Sequence, residues 1–189
     1  MVVVGIAMLQ GARHAHVDAI ERAANELGID VEIVELRTKE DLELQSIDAL
    51  MLPGGESTVM RLTGNDDASG LLPAMFAWIR EDAMRPVLAT CAGAILLSDP
   101  QDGGGPLVDA EINRNAYGRQ ADSFQAALDC GYPGVFIRAP RFGESSAEII
   151  CTHQGETVGV RQDNRISLTF HPELSDDAKF HRMLLEACI

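Results

Sequence analysis

Basic charge is what this 189-residue chain has least of. It holds two lysines, Lys39 and Lys179, beside thirteen arginines, and 29 acidic residues leave a formal net charge of −14. Nucleic acid and anionic membranes are bound through clustered Lys and Arg, so neither is an expected partner. Long hydrophobic runs are missing as well. The longest, MVVVGIAML and VLATCAGAILL, fall short of the ~20 residues a membrane span requires, and no secretory leader is expected because the first run reads as a strand. Four cysteines, Cys91, Cys130, Cys151 and Cys188, lack CxxC spacing, which leads us to expect reduced thiols in a cytoplasmic protein. An acidic, lysine-poor surface suits a cytoplasm of high salt, where screening removes much of the self-repulsion.

The composition is 46% apolar and 23% charged, which excludes a disordered or collagen-like chain. A chain of this length buries roughly 70% of its unfolded surface in one core, and a single domain over residues 1–189 is expected. Strand and helix patterns alternate in the first half. MVVVGIAML is followed by Val17, Ile20, Ala24 and Leu27 at helical spacing, closed by Gly28. VEIVEL is a second strand, and Thr38 with Asp41 forms a capping-box pattern for a short helix. IDALML then runs into the loop PGGES. Leu72, Met75, Phe76, Ile79 and Ala83 mark a helix ending before Pro86, and VLAT is a fourth strand. The predicted fold is α/β, a doubly wound, mostly parallel sheet with flanking helices. After the glycine-rich stretch 98–112, expected to be a mobile loop, come shorter runs (SFQAAL, GVFIRAP, AEIICTH, TVGVRQ, RISLTF). These predict an added antiparallel region at the sheet edge, before a last helix capped by Ser175.

The chemistry begins where the fourth strand runs straight into Cys91 and the small residues Ala92, Gly93 and Ala94. Strand, sharp turn and helix make a nucleophile elbow, and a helix N-terminus with a nearby imidazole favours the thiolate. A buried structural cysteine is the plain alternative. Two further segments weigh against it. RISLTF leads into His171-Pro172-Glu173, so an imidazole and a carboxylate emerge at the end of another strand, where neighbouring strands of an open sheet share one crevice. Cys91, His171 and Glu173 can then form a nucleophile, its base and an orienting acceptor. Gly54 and Gly55 in PGGES permit backbone N–H groups to face an oxyanion.

With these residues the chain resembles the class I (triad) glutamine amidotransferases, and within them the PdxT family, the glutaminase subunits of pyridoxal phosphate synthase. The matching segments are LQGA (Leu9 to Ala12), LPGGEST (Leu52 to Thr58), TCAG (Thr90 to Gly93), RNAYGRQADSF (Arg114 to Phe124), GVFIRAP (Gly134 to Pro140) and FHPEL (Phe170 to Leu174). TCAG and HPE point to the superfamily, whereas RNAYGRQADSF and GVFIRAP single out the family. The resemblance implies that Cys91 attacks the side-chain amide of L-glutamine, His171 relays the proton and Glu173 orients His171. It also implies backbone oxyanion donors at Ala92, Gly54 and Gly55, and glutamine contacts from Gly55, Glu56, Ser57, Arg114, Ile137 and Arg138. The implied partner is a PdxS-type synthase subunit that receives the ammonia, and no metal or organic cofactor is implied. Tyr117 is read as packing. The chain departs from the family's LQGAxREH at His14 and Ala15, and has Ala94 where leucine is common. Another amidotransferase subunit, or a cysteine peptidase or chaperone of this fold, would keep the elbow but lack the two family segments. A catalytically silent binding subunit would have lost the triad.

Overall fold

The computed structural model describes residues 1–10, 13–114 and 123–189. The first half runs β1 (Val2–Ala7), α1 (Arg13–Leu27), β2 (Val31–Leu36), α2 (Lys39–Leu44), β3 (Ala49–Leu52), α3 (Ser57–Gly64), α4 (Leu71–Glu81), β4 (Val87–Thr90) and α5 (Ala92–Ser98). The second half supplies β5 (Ala110–Asn113), β6 (Phe124–Ala127), β7 (Pro133–Phe136), β8 (Arg141–Ser145), β9 (Glu148–His153), β10 (Glu156–Gln162) and β11 (Arg165–Leu168). A 3-10 turn at Pro172–Leu174 and α6 (Lys179–Glu186) complete it.

Strands covered on both faces should be apolar throughout, and β3 and β4 are buried at every position. They lie inside a seven-stranded sheet of order β2-β1-β3-β4-β11-β10-β9. The pairings from β2 to β11 are parallel, and β10 joins β11 and β9 antiparallel. One face is covered by α1 and α6 through Ile20, Ala23, Phe180 and Leu184, the other by α2, α4 and α5 through Leu42, Leu72, Phe76, Ile79 and Leu96. Two small antiparallel pairs, β5 with β8 and β6 with β7, stand outside this sheet. The consequence for function is that the carboxyl ends of β1, β3, β4 and β11 converge.

The capping box is present: Asp41 N–H donates to Thr38 Oγ1 at 3.3 Å, and Thr38 N–H to Asp41 Oδ2 at 2.9 Å. Several expectations are corrected. Arg165–Leu168, grouped with the edge hairpins, instead enters the sheet parallel to β4, because its four buried residues need cover on both faces. Ser175 does not cap the last helix, which begins at Lys179. Its hydroxyl accepts from Asp177 N–H at 3.1 Å, and Asp177 Oδ1 accepts from Lys179 N–H at 2.8 Å. Ala83 lies beyond the end of α4. The glycine-rich stretch is fastened: Arg80 reaches Asp102 Oδ2 at 2.5 Å and the Gly105 carbonyl at 2.9 Å, while Leu107 and Val108 are buried.

The expectation of four reduced thiols is also overturned. Cys130, at the β6–β7 turn, is disulfide-bonded to Cys151 in β9, with Cα atoms 5.6 Å apart. The two are 21 residues apart in sequence. They meet because the hairpin folds back on β9, held by Asp129 N–H to the Thr152 carbonyl at 2.9 Å, a contact that cysteine spacing does not encode. Gly11, Ala12 and residues 115–122, which include Tyr117 and most of RNAYGRQADSF, lie outside the described residues.

Candidate active site

β4 delivers Cys91 and α5 begins at the next residue. Cys91 adopts φ 50°, ψ −110°, a region that side-chain-bearing residues seldom occupy and that costs about 1–3 kcal/mol. This is the sharp turn expected of the elbow, and the thiol is buried at its apex. A methyl group on Gly93 would lie 2.3 Å from the Leu52 carbonyl oxygen, so only glycine lets α5 approach the end of β3 this closely. The Ala92 amide, in the first turn of α5, meets no acceptor among the described residues, and Ala92 lines the cleft.

Beside it, β11 ends at Leu168 and the chain carries His171 over the Cys91 turn. The His171 amide donates to the Val135 carbonyl at 2.8 Å, which fixes the backbone. His171 Nδ1 lies 2.8 Å from Glu173 Oε1, and Glu173 is buried by its position in the 3-10 turn. An ionised carboxylate accepts, so Nδ1 carries the proton and Nε2, which has no other partner, is left to take a proton from Cys91. Burial alone would lower the His171 pKa, but its interactions with the neighbouring Cys91 and with Glu173 push it up to about 10. For Glu173 burial acts upward, and the hydrogen bond from His171 with the two nearby imidazoles holds it below the ordinary carboxylate range.

Cys91 and His171 open into a cleft of about 500 Å³ walled by Gly55, Glu56, Ser57, Ala92, Arg114, Ile137 and Arg138, together with Gln10, Ile95 and Pro140. All the residues singled out in the sequence therefore converge except Gly54, which packs directly behind. A Cβ there would lie 3.0 Å from His171 Cε1 and 3.2 Å from Cys91 Cβ. Arg114 Nη2 donates to Ser57 Oγ at 2.5 Å and to Thr58 Oγ1 at 3.1 Å. The Glu56 carboxylate accepts from Thr58 and Val59 N–H at 3.1 and 2.8 Å and so caps α3, with these bonds lowering its pKa. Arg138 has φ 47°, a second strained position on the wall. Among the described residues no cluster of His, Cys, Asp and Glu could hold a metal ion, and no helix is long and apolar enough to cross a membrane.

Three site neighbours and one helix were not recognised in the sequence. Gln10 Oε1 accepts the Glu56 amide at 2.6 Å and so positions the glycine loop. Helix α3 follows the two glycines directly and exposes Val59 and Leu62, which blurs its periodicity. His16 and His181, both fully buried, stand behind Glu173. His16 Nε2 lies 3.5 Å from Glu173 Oε2, and His16 Nδ1 lies 3.1 Å from His181 Nε2. A signal was available: His16 precedes Ile20 by four residues on the apolar stripe of α1, and a polar residue on such a stripe needs a partner.

These histidines set the pH response of the fold. Burial lowers His16 to about 4 and His181 well below the ordinary histidine range. Their contribution is present above the unfolded value near 6.5 and lost as pH falls toward 4. His171 acts oppositely: its raised value stabilises the fold fully below 6.5, and that contribution is lost as pH climbs to about 10. We expect the melting temperature to peak between these flanks, each sloping by up to about 1.4 kcal/mol per pH unit for every proton involved. Thermal melts from pH 4 to 10 check this, and a monotonic curve contradicts it.

The SNO glutamine amidotransferase family matches residues 6–189. The chain is 42% identical, over the full length of both, to the pyridoxal 5'-phosphate synthase subunit PdxT of Thermococcus onnurineus. It is 39% identical to the PdxT of Natronomonas pharaonis, covering 96% of this chain and 97% of that one. Among solved structures it superposes on a glutamine amidotransferase with TM-score 0.80 and 35% identity, covering 98% of each chain. A glutamine amidotransferase from Thermotoga maritima, at TM-score 0.61 and 15% identity over 99% of this chain and 96% of that one, shares the fold. The chain belongs to the SNO glutamine amidotransferase family.

Proposed function

We propose that this chain is the glutaminase subunit of a pyridoxal 5'-phosphate synthase, hydrolysing L-glutamine to glutamate and ammonia in the Cys91 cleft. The observation that carries the reading is the His171–Glu173 pair, bonded at 2.8 Å, with the unpartnered His171 Nε2 beside the elbow thiol. In the first half-reaction Cys91 Sγ bonds to the amide carbon with the proton of the Cys91–His171 pair held on His171 Nε2, where the raised proton affinity of His171 favours it. The tetrahedral oxyanion is met by N–H groups of Ala92 and of Gly54 or Gly55. His171 then protonates the amide nitrogen, the C–N bond breaks and ammonia leaves a glutamyl thioester. Water, deprotonated by His171, hydrolyses the thioester and restores the thiol. Arg114 and Arg138 suit the α-carboxylate of glutamine, and the Ser57 hydroxyl and Ile137 carbonyl offer further polar contacts in the same cleft. The reading also takes Gly55 and Glu56 as glutamine contacts, with Glu56 acting through its backbone because its carboxylate caps α3.

Ammonia would pass to a PdxS-type synthase subunit, and a glutaminase feeding another site gains from staying slow until that partner docks. We expect weak hydrolysis by the purified chain and substantial stimulation by the cognate synthase, followed as glutamate release. Gly55→Val should lose the stimulation, because its Cβ meets the Gln10 side chain at 2.9 Å and hinders rotation of the loop. Gly54 is the poorer probe, since any side chain there displaces His171. A complex that releases no glutamate overturns the reading, and equal rates with and without synthase overturn only the switching.

A further inference from the structure

Behind the triad lies a second layer of imidazoles that the reaction as written does not use. Glu173 is buried, and only one of its oxygens, Oε1, is bonded to His171. Oε2 is buried without a hydrogen bond, and His16 Nε2 stands 3.5 Å from it. An ionised carboxylate left half-satisfied in a dry interior is costly, so the group facing Oε2 matters. His16 comes from α1 and His181 from α6, both with no exposed surface.

The tautomers follow from counting donors. His16 and His181 are neutral, since burial disfavours their charged forms. Each therefore has one N–H and one lone pair. If His16 carried its proton on Nδ1, its Nε2 lone pair would face the Glu173 carboxylate. With the proton on Nε2, His16 places an N–H on the side of Oε2, 3.5 Å away and without a formed hydrogen bond at either atom, and its Nδ1 lone pair accepts from His181 Nε2–H across 3.1 Å. His181 Nδ1 is then a bare acceptor, which agrees with its lack of a partner. Every proton in the chain His181, His16, Glu173, His171 has one place. The charged and titratable groups facing His16 are Glu173 and His171 from the segment after β11 and His181 from α6, with Arg22 of α1 acting on His181.

We propose that His16, its tautomer fixed by His181, is a positioning residue that holds the free oxygen of Glu173 and thereby keeps the carboxylate ionised and aimed at His171. The proposal rests on the reading of Cys91, His171 and Glu173 as a glutaminase triad. Partners that orient metal-ligating side chains typically change activity or affinity by about 10–100-fold, and an effect of the same order is expected for a group that orients the triad carboxylate.

The test compares His16→Leu and His16→Gln with the parent chain, each in complex with the cognate synthase. His16→Leu should lower kcat by about 10–100-fold with KM for glutamine unchanged, because no substrate contact is lost. It should also move the acid limb of the kcat profile to higher pH, since Glu173 without its second donor protonates more readily. His16→Gln, whose amide can donate to Glu173 and accept from His181, should recover most of the loss. A His16→Leu complex with the parent's kcat and pH profile overturns the proposal, as does a loss of stability with no shift of the acid limb. Should His16→Leu fail to fold, nitrogen-15 spectra of the unsubstituted protein decide: the proton is expected on Nε2 of both His16 and His181 at neutral pH, and a proton on His16 Nδ1 overturns the assignment. If the unsubstituted complex does not hydrolyse glutamine, the functional reading fails, while the spectra still test the relay.

Discussion

Cys91→Ser abolishes glutamine hydrolysis, with an expected loss of at least about 10³-fold in kcat, because the alcohol at the same elbow is a far poorer nucleophile. A glutamine-like chloroketone labels Cys91 and spares the other three cysteines. The structure supplies a separate reason for each exemption. Cys130 and Cys151 are bonded to one another. The Cys188 thiol is pushed up to about 11 by burial and by the nearby Asp48, so little thiolate is present at neutral pH. Mass spectrometry of the labelled peptide reads the outcome, and adduct chiefly at Cys188 would remove the nucleophile from the reading.

His171→Asn is expected to be as damaging as loss of the thiol, since no other base faces Cys91 among the described residues. Glu173→Gln should retain about 10–100-fold more activity than His171→Asn, because triad members act as a unit and the orienting acceptor is the least costly to remove. With His171 raised to about 10, the unsubstituted enzyme should keep its general acid across the neutral range, and kcat should fall on the alkaline side only near that value. Single-turnover glutamate release across pH measures both effects. Near-normal turnover in His171→Asn would place the base elsewhere.

The legible part of this protein was what short-range pattern encodes. Unbroken apolar runs gave β1, β3 and β4, the Thr38–Asp41 pair gave a helix start, and small residues after Cys91 gave the elbow. His171 and Glu173 could be read because they are two residues apart in sequence and follow a strand. The His16–His181 layer could not, because its partners come from opposite ends of the chain and meet only when α1 and α6 pack together. The Cys130–Cys151 bond escaped for the same reason. The use of the Glu56 side chain was hidden differently: the residue lines the cleft, yet its carboxylate caps its own helix, a local use that residue type alone does not reveal.

The position of β11 between β4 and β10 decides when a working cleft can exist during synthesis. β4 has a neighbour on only one side until the segment Arg165–Leu168 has been made, and the turn bearing His171 and Glu173 follows it directly. α6, which carries His181, comes later still. Pairing elements so distant in sequence costs loop-closure entropy and slows folding. A nascent or truncated chain that already displays the Cys91 elbow therefore has a nucleophile without a base, and release of ammonia is withheld until nearly the whole chain has folded.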